Sequence, residues 1–309
     1  RVRQAAGLAT DQAARQADDA LAEATSELRL VKDAWEVDQL QAAVDATKAG
    51  FDNLIRSIPR AKGHWRGERV LEGAFGARAR EEGNGLGYET IAAAGDHANT
   101  LHWINNDGPV EPGQLVLVDA GVEVDSLYTA DVTRTIPVDG RFTTAQRRVY
   151  EAVLEAADAA FVRAGESGVR FRDLHSAAME VLARRLHEWG LLPEGVSAED
   201  SLSPEGQYHR RWMVHGTSHH LGLDVHDCAQ ARREMSMDAL LVPGMVFTIE
   251  PGLYFRDDDL LVPAELRGMG VRIEDDVVIR PDGRPEYLTA AIPRRPDDVE
   301  AWVSGLIAD

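Results

Sequence analysis

The sequence has 309 residues, 44% of them hydrophobic and 28% charged, with a formal net charge of −19 at pH 7. A chain this long can bury a large core, since single cores stop growing at roughly 250–300 residues. The acidic surplus excludes a nucleic-acid partner, which would require a basic stripe, and no stretch approaches the ~20 apolar residues that span a bilayer, so no membrane partner is expected. The one cysteine, Cys228, excludes an internal disulfide and suits a reducing compartment, so a cytoplasmic location is expected. The first residues contain neither an apolar signal core nor an initiator methionine, which predicts a fragment of a longer chain.

Residues 1–33 are Ala-rich and charged, and predict a surface helix or frayed lead-in that carries no chemistry. Trp35, Val37, Leu40, Val44, Phe51, Leu54 and Ile55 follow helical spacing over Trp35–Ile58, and Pro59 ends the pattern. A second helix is predicted over Gly67–Glu82. Gly, Pro and Asp punctuation then marks strands at Tyr88–Ala94, Gln114–Val118 and Val124–Val138. Helices over Thr143–Ala164 and Phe171–Trp189 follow, and strands at Met245–Ile249 and Gly270–Ile279 close the pattern. This order predicts an α+β domain with two similar halves, although no repeat is visible in the residues themselves.

The chemistry lies at the strand ends. LVLVDAG places Asp119 after four apolar residues, and twelve residues later LYTADVTRT carries Asp131. MVFTIEPG places Glu250 after another apolar run, and GVRIEDDVVI places Glu274 inside a fourth. Any one such acid reads as a strand-end ion pair or cap. Several ionised carboxylates rising from core strands must be paired, protonated or bound to a cation. MVHGTSHHLGLDVHD adds His215, His219, His220 and His226, and the mixed oxygen and nitrogen donors suit Mn²⁺, Co²⁺, Fe²⁺ or Zn²⁺. His215 and His219 stand four apart, but Gly216 occupies the position of the general-base Glu of a zinc helix, and Gly-Thr-Ser is a poor helix former. HGTSHH also lacks the GxSxG elbow of a serine hydrolase.

These motifs together resemble the metallopeptidases of the pita-bread (creatinase/aminopeptidase) fold, and within them the Xaa-Pro aminopeptidases, also called aminopeptidase P. The resemblance is carried by SELRLVKDAWEVDQLQAAVDAT, VDAGVEVDSLYTADVTRT, HGTSHHLGLDVHD, VPGMVFTIEPGLYF and RGMGVRIEDDVVI, and runs from about Leu28 to Ile292. It implies a curved antiparallel sheet flanked by helices in two pseudo-symmetric halves. It implies five ligands to two divalent ions, with Mn²⁺ the expected metal: Asp119, Asp131, His219, Glu250 and Glu274. Asp131 and Glu274 would bridge the ions, with Asp119 on one side and His219 with Glu250 on the other. Water activated between the ions would cleave the bond between a first residue and a penultimate proline. His102 would handle the substrate and its proton, His215 and His226 would hold the residue after the scissile bond, and Tyr254 and Arg272 would sit near the prolyl ring.

The resemblance also implies a homo-oligomer, a dimer or tetramer, and a sizeable amino-terminal domain before the LRLVKD segment. Residues 1–33 are then the remnant of that domain and 34–309 the catalytic domain. The Asp119-to-Asp131 interval is one residue longer than the family's, and the extra residue is expected in the turn around Glu123–Leu127. His220 beside His219 leaves two imidazoles for one ligand position, of which the motif favours His219. A prolidase acting on Xaa-Pro dipeptides and a non-catalytic binding relative on the same fold are the alternatives.

Overall fold

The computed structural model describes residues 2–308. The chain opens with α1 (Val2–Ala5) and α2 (Gln12–Leu28), the latter a mostly exposed surface helix with Ser26 buried. Asp33 then caps α3 (Ala34–Arg56): its carboxylate accepts the Glu36 N–H at 2.9 Å while Glu36 accepts the Asp33 N–H at 2.8 Å, so two otherwise orphaned donors are satisfied reciprocally. The predicted stripe of α3 faces the core at Val37, Leu40, Val44, Phe51, Leu54 and Ile55, each worth about 1.5–3 kcal/mol of apolar burial. Trp35 leaves that stripe: it is 58% exposed and meets Tyr128 edge-on. Helix α3 stops at Arg56, two residues short of the expected Ile58, and Pro59 sits in the first turn of the short α4 (Ile58–Ala61), which turns the chain into α5 (Gly67–Glu82).

In the first half, β1 (Gly85–Leu86) pairs with β4 (Val122–Glu123), and β2 (Ile91–Ala94), β3 (Leu115–Ala120) and β5 (Val132–Pro137) form an antiparallel sheet in the order β2-β3-β5. The register sets Asp119 opposite Thr133 on one side and Ile91 on the other. Helices α3 and α5 pack together against this half. The connection continues through α6 (Thr144–Ala164), α7 (Phe171–Glu188) and α8 (Ala198–Leu202). In the second half, β6 (Val246–Ile249), β9 (Asp275–Ile279) and β10 (Pro285–Tyr287) pair in the order β10-β9-β6, and β7 (Gly252–Phe255) pairs with β8 (Met269–Arg272). Helix α6 packs against α7 and the second-half strands, mirroring α3 and α5, and α9 (Pro296–Ala308) closes the chain against α3.

Two predicted strands are broken, and both breaks shape the site. The stretch Val124–Val138 forms a ladder only over Val132–Pro137. Before it the chain makes the expected turn, with Leu127 in the left-handed region at φ 71° and its N–H bonded to Val124 O at 2.8 Å. Likewise Gly270–Ile279 splits into β8 and β9, because the first part pairs with β7 and the second with β6; Glu274 lies at the crossing. Tyr88 falls outside β2 for a related reason. The chain there must pass close to Gly121 and Thr129, where Gly87 donates to Gly121 O at 2.9 Å and a Cβ on Gly87 or Gly121 would collide with Thr129 Oγ1 or the Ala130 carbonyl.

Candidate metal centre

The two halves meet through their ligand-bearing strands. Glu274 N–H donates to Thr133 O at 3.1 Å, Asp131 N–H donates to Asp276 Oδ2 at 3.2 Å, and the Arg272 N–H donates to Thr135 Oγ1 at 3.1 Å. At the centre of this seam is Arg134, a fully buried side chain on β5. Its guanidinium donates to the carbonyls of Glu274 (2.6 Å), Thr133 (2.9 Å), Ile292 (3.2 Å) and Pro293 (2.7 Å), and to Asp275 Oδ1 (2.6 Å).

This seam brings all five predicted donors to one cavity of about 560 Å³. Asp119 comes from the end of β3, Asp131 from the residue before β5, Glu250 from the residue after β6, and Glu274 from the β8–β9 crossing. His219 comes from the irregular segment before β6, where Thr248 N–H bonds His219 O at 2.9 Å and Thr248 Oγ1 accepts the His219 N–H at 3.2 Å. His219 Nε2 lies 3.2 Å from Asp131, 3.7 Å from Glu250 and 3.8 Å from Glu274. One donor atom each from Asp131, His219 and Glu274 falls within 4.8 Å of the others. His219 Nδ1 donates to the His220 carbonyl at 3.1 Å, which leaves Nε2 facing the carboxylates. His220 does not share the site: its ring is buried against Phe171 at 4.4 Å, and it does not line the cavity.

The electrostatics test whether this donor set fits a cation. Burial pushes Glu274 well above the usual carboxylate range, with the neighbouring Asp131, Glu250 and Asp119 adding to the rise. Burial raises Glu250 to about 7, against the pull of His219 and Arg272, and raises Asp119 against the pull of Arg272. Asp131 alone is lowered, because its bond and charge contact with His219 outweigh burial. The same carboxylates lift His219 to about 9 although burial opposes it. Four carboxylates thus share one arginine and one imidazole. That shortfall of positive charge is what divalent ions supply, and oxygen-rich donors with one nitrogen fit the harder divalent metals.

Around the donors, Arg272 Nη2 donates to Asp119 Oδ2 at 2.6 Å, and its Nη1 donates to Tyr254 OH at 3.0 Å. Tyr254 in turn reaches His215 Nε2 at 2.7 Å, while His215 Nδ1 meets Gly216 O at 2.6 Å. The imidazole is therefore neutral with its proton on Nδ1; burial, then Arg272, lower its pKa to about 3. His226 packs edge-on against His219 at 4.5 Å between ring centres, and His102 lines the same cavity. Every predicted site residue except Tyr254 lines that cavity, and Tyr254 touches it through His215 and Arg272.

Four contributing residues went unread in the sequence. Tyr88 places its phenol 2.7 Å from Asp119 and 2.5 Å from Asp131. Thr133 Oγ1 donates to Glu274 Oε2 at 2.7 Å; it stands two residues past Asp131, the strand repeat that could have flagged it. Asp276 is buried and holds the Asp131 backbone. Glu68, buried on α5, accepts from Ala94 N–H, Gly108 N–H and Trp103 Nε1–H at 2.7–3.0 Å and bonds His97 Nδ1 at 2.8 Å, which fixes both ends of the loop carrying His102.

Residues 5–281 match the model of metallopeptidase family M24. The chain belongs to this family. Among M24 relatives, Xaa-Pro aminopeptidase 2 of Streptomyces coelicolor is 53% identical over 287 residues, 93% of this chain and 59% of that protein. Xaa-Pro aminopeptidase 1 of the same organism is 50% identical over 297 residues, 96% of this chain and 59% of that protein. The solved aminopeptidase PepP of Pseudomonas aeruginosa superposes with a TM-score of 0.83 at 34% identity, covering 92% of this chain and 62% of that one. Zn-substituted Escherichia coli aminopeptidase P in complex with product gives 0.82 at 33%, with the same coverage. The chain therefore has the M24 pita-bread fold, and spans about three fifths of the length of the curated relatives it matches. The family is one of metallopeptidases, and Asp131, His219 and Glu274 of this chain form a group that could hold a divalent metal ion.

Proposed function

We propose that this chain is the catalytic region of an Xaa-Pro aminopeptidase, a metalloexopeptidase that releases the first residue of a peptide from a penultimate proline. One observation carries the reading: five donors from two sheet halves converge in a cavity that also holds a neutral His215 tied through Tyr254 to Arg272. We assign Asp119, Asp131, His219, Glu250 and Glu274 as the residues that would hold two divalent ions, with Mn²⁺ as the working metal. When bound, the ions supply a Lewis acid and lower the pKa of coordinated water.

The remaining steps belong to the chain's own side chains. Arg272 fixes Asp119 and the Tyr254 hydroxyl, so both are set before substrate arrives. With its proton committed to Gly216 O, His215 offers Nε2 to the Tyr254 hydroxyl, and this pair faces the residue following the scissile bond. His226, edge-on to His219, holds the same part of the substrate and steadies charge that develops on the carbonyl oxygen. His102, on the loop braced by Glu68, takes up the proton that the reaction moves. The Tyr88 phenol and the Thr133 hydroxyl hold Asp119, Asp131 and Glu274 in place. In this reading the chain acts on peptides with penultimate proline, works as a homo-oligomer of two or four copies, and resides in the cytoplasm. Support for that location is the single buried thiol of Cys228; no described helix is long and apolar enough to cross a membrane. We also take residues 1–33 as the end of a preceding domain and 34–309 as the catalytic unit.

The test is hydrolysis of Xaa-Pro-Xaa tripeptides and Xaa-Pro dipeptides by metal-stripped protein re-titrated with Mn²⁺, Co²⁺ and Zn²⁺. Metal-dependent release of the first residue from tripeptides is the expected result. Cleavage of dipeptides alone would make the chain a prolidase. No turnover with any metal would mean either that the part of its relatives that this chain does not span is required, or that the chain is a binding relative; the metal content of the purified protein separates the two, metal-free protein marking the binding relative.

A further inference from the structure

The segment ahead of α3, read from the sequence as chemically inert, grips the loop that carries His226. Arg29 Nη2 lies 3.1 Å from Asp224 Oδ2 and 2.9 Å from Asp227 Oδ1. Lys32 Nζ meets the other oxygen of Asp227 at 3.0 Å, with both side chains only 1% exposed. Farther out, Glu27 accepts two bonds from Arg232, at 2.6 and 3.0 Å. The gripping segment is itself anchored, because Lys32 N–H donates to Gly244 O at 2.8 Å, just ahead of β6. Asp224 and Asp227 flank His226, and the Asp227 N–H returns to His220 O at 2.9 Å, next to His219.

We propose that Arg29 and Lys32 are positioning residues that hold His226 at the metal centre by clamping the aspartates on either side of it. The stretch 222–232 has no helix or strand of its own to set the direction of the His226 ring. Two cations on a segment tied to Gly244, just ahead of β6, supply that rigidity. Burying a carboxylate costs free energy unless it is paired, and both cations converge on the buried Asp227. The proposal rests on the role assigned to His226 above.

Lys32→Met strands a buried carboxylate and can prevent folding, so the test uses Arg29→Gln, whose side chain is 29% exposed in its pair with Asp224. Amide exchange over residues 222–232 should accelerate in Arg29→Gln while metal content stays that of the wild type. On an Xaa-Pro-Xaa tripeptide kcat should fall on the order of tenfold to a hundredfold, the effect of misplacing a reacting group by about 1 Å. In a His226→Ala background the same substitution should cost nothing further, since the residue it positions is gone. Unchanged exchange in the loop, or a loss that simply adds to that of His226→Ala, would overturn the clamp. A wild-type chain inactive on all peptides would defeat the peptidase reading alone, because the exchange signature is read without substrate and decides the clamp by itself.

Discussion

Replacing Arg134 by Met tests whether the seam between the two halves also builds the metal centre. The guanidinium makes five short bonds from a fully buried position, and two of its acceptors, Thr133 O and Glu274 O, belong to the strands that carry Asp131 and Glu274. Methionine fills much of the space but leaves four carbonyls without this donor and Asp275 with one cation fewer. Removing one partner of a buried ion pair costs about 3–5 kcal/mol. Arg294 remains 3.1 Å from the other oxygen of Asp275, which places the loss near the lower end, about 3 kcal/mol. At about 2–4 °C per kcal/mol for a large domain, the melting temperature should drop by roughly 6–12 °C. Arg134→Lys keeps the charge but not the planar fork, and should lose most of the same stability. Scanning calorimetry on metal-free protein measures the drop, and Mn²⁺ titration of the folded variant should show affinity weakened on the order of tenfold or more. A shift under about 2 °C with wild-type affinity would refute the link between seam and site.

Four further substitutions separate the roles within the site. Asp131→Ala or Glu274→Ala should abolish turnover and metal loading together, measured by elemental analysis beside tripeptide hydrolysis; normal turnover in either variant contradicts the ligand assignment. His215→Ala should keep both ions and lower kcat, and loss of metal in that variant would make His215 a ligand instead. Tyr88→Phe, which removes only the phenolic oxygen shared by Asp119 and Asp131, should weaken metal binding about 10–100-fold by calorimetric titration; an unaltered affinity would show that the two aspartates need no such brace.

The chain order of elements and the five donors were legible because each rests on a local signal. Apolar runs ending in Asp119 and Glu250 read directly as strand ends, and a helical stripe ending at Pro59 reads directly as α3. The motif order favoured His219 over His220, and in the structure His219 Nε2 faces the carboxylates while His220 stacks on Phe171. What local pattern could not give was pairing. Gly270–Ile279 reads as one strand because Val271, Ile273, Val277, Val278 and Ile279 run through it with no glycine or proline after Gly270, yet it serves two ladders, and only the pairing partners reveal the crossing at Glu274. Tyr88, Glu68 and Asp276 act across distances in sequence of 26 to 145 residues, so no spacing rule announces them. Residues 26–32 were unread for the same reason, since their partners lie about two hundred residues away.

The shortfall of positive charge at the centre links metal to folding. With ions absent, the folded chain must hold Asp119, Glu250 and Glu274 in surroundings that oppose their ionised forms, whereas the unfolded chain leaves them in water. Ions that bind the assembled donors, which come from both halves and do not exist together in the unfolded chain, shift the balance toward the fold by mass action. At a free concentration one hundred times Kd, each ion contributes about 2.7 kcal/mol, which corresponds to roughly 5–11 °C in melting temperature. Chelator-stripped protein should therefore melt lower and recover on adding Mn²⁺, with the rise growing logarithmically with concentration. Asp131→Ala should show almost none of this rise while remaining folded, because it removes one of the residues assigned to hold the ions. A wild-type melting temperature indifferent to Mn²⁺, or an equal rise in Asp131→Ala, would mean that the ions bind elsewhere and that the converging carboxylates are held by protons alone.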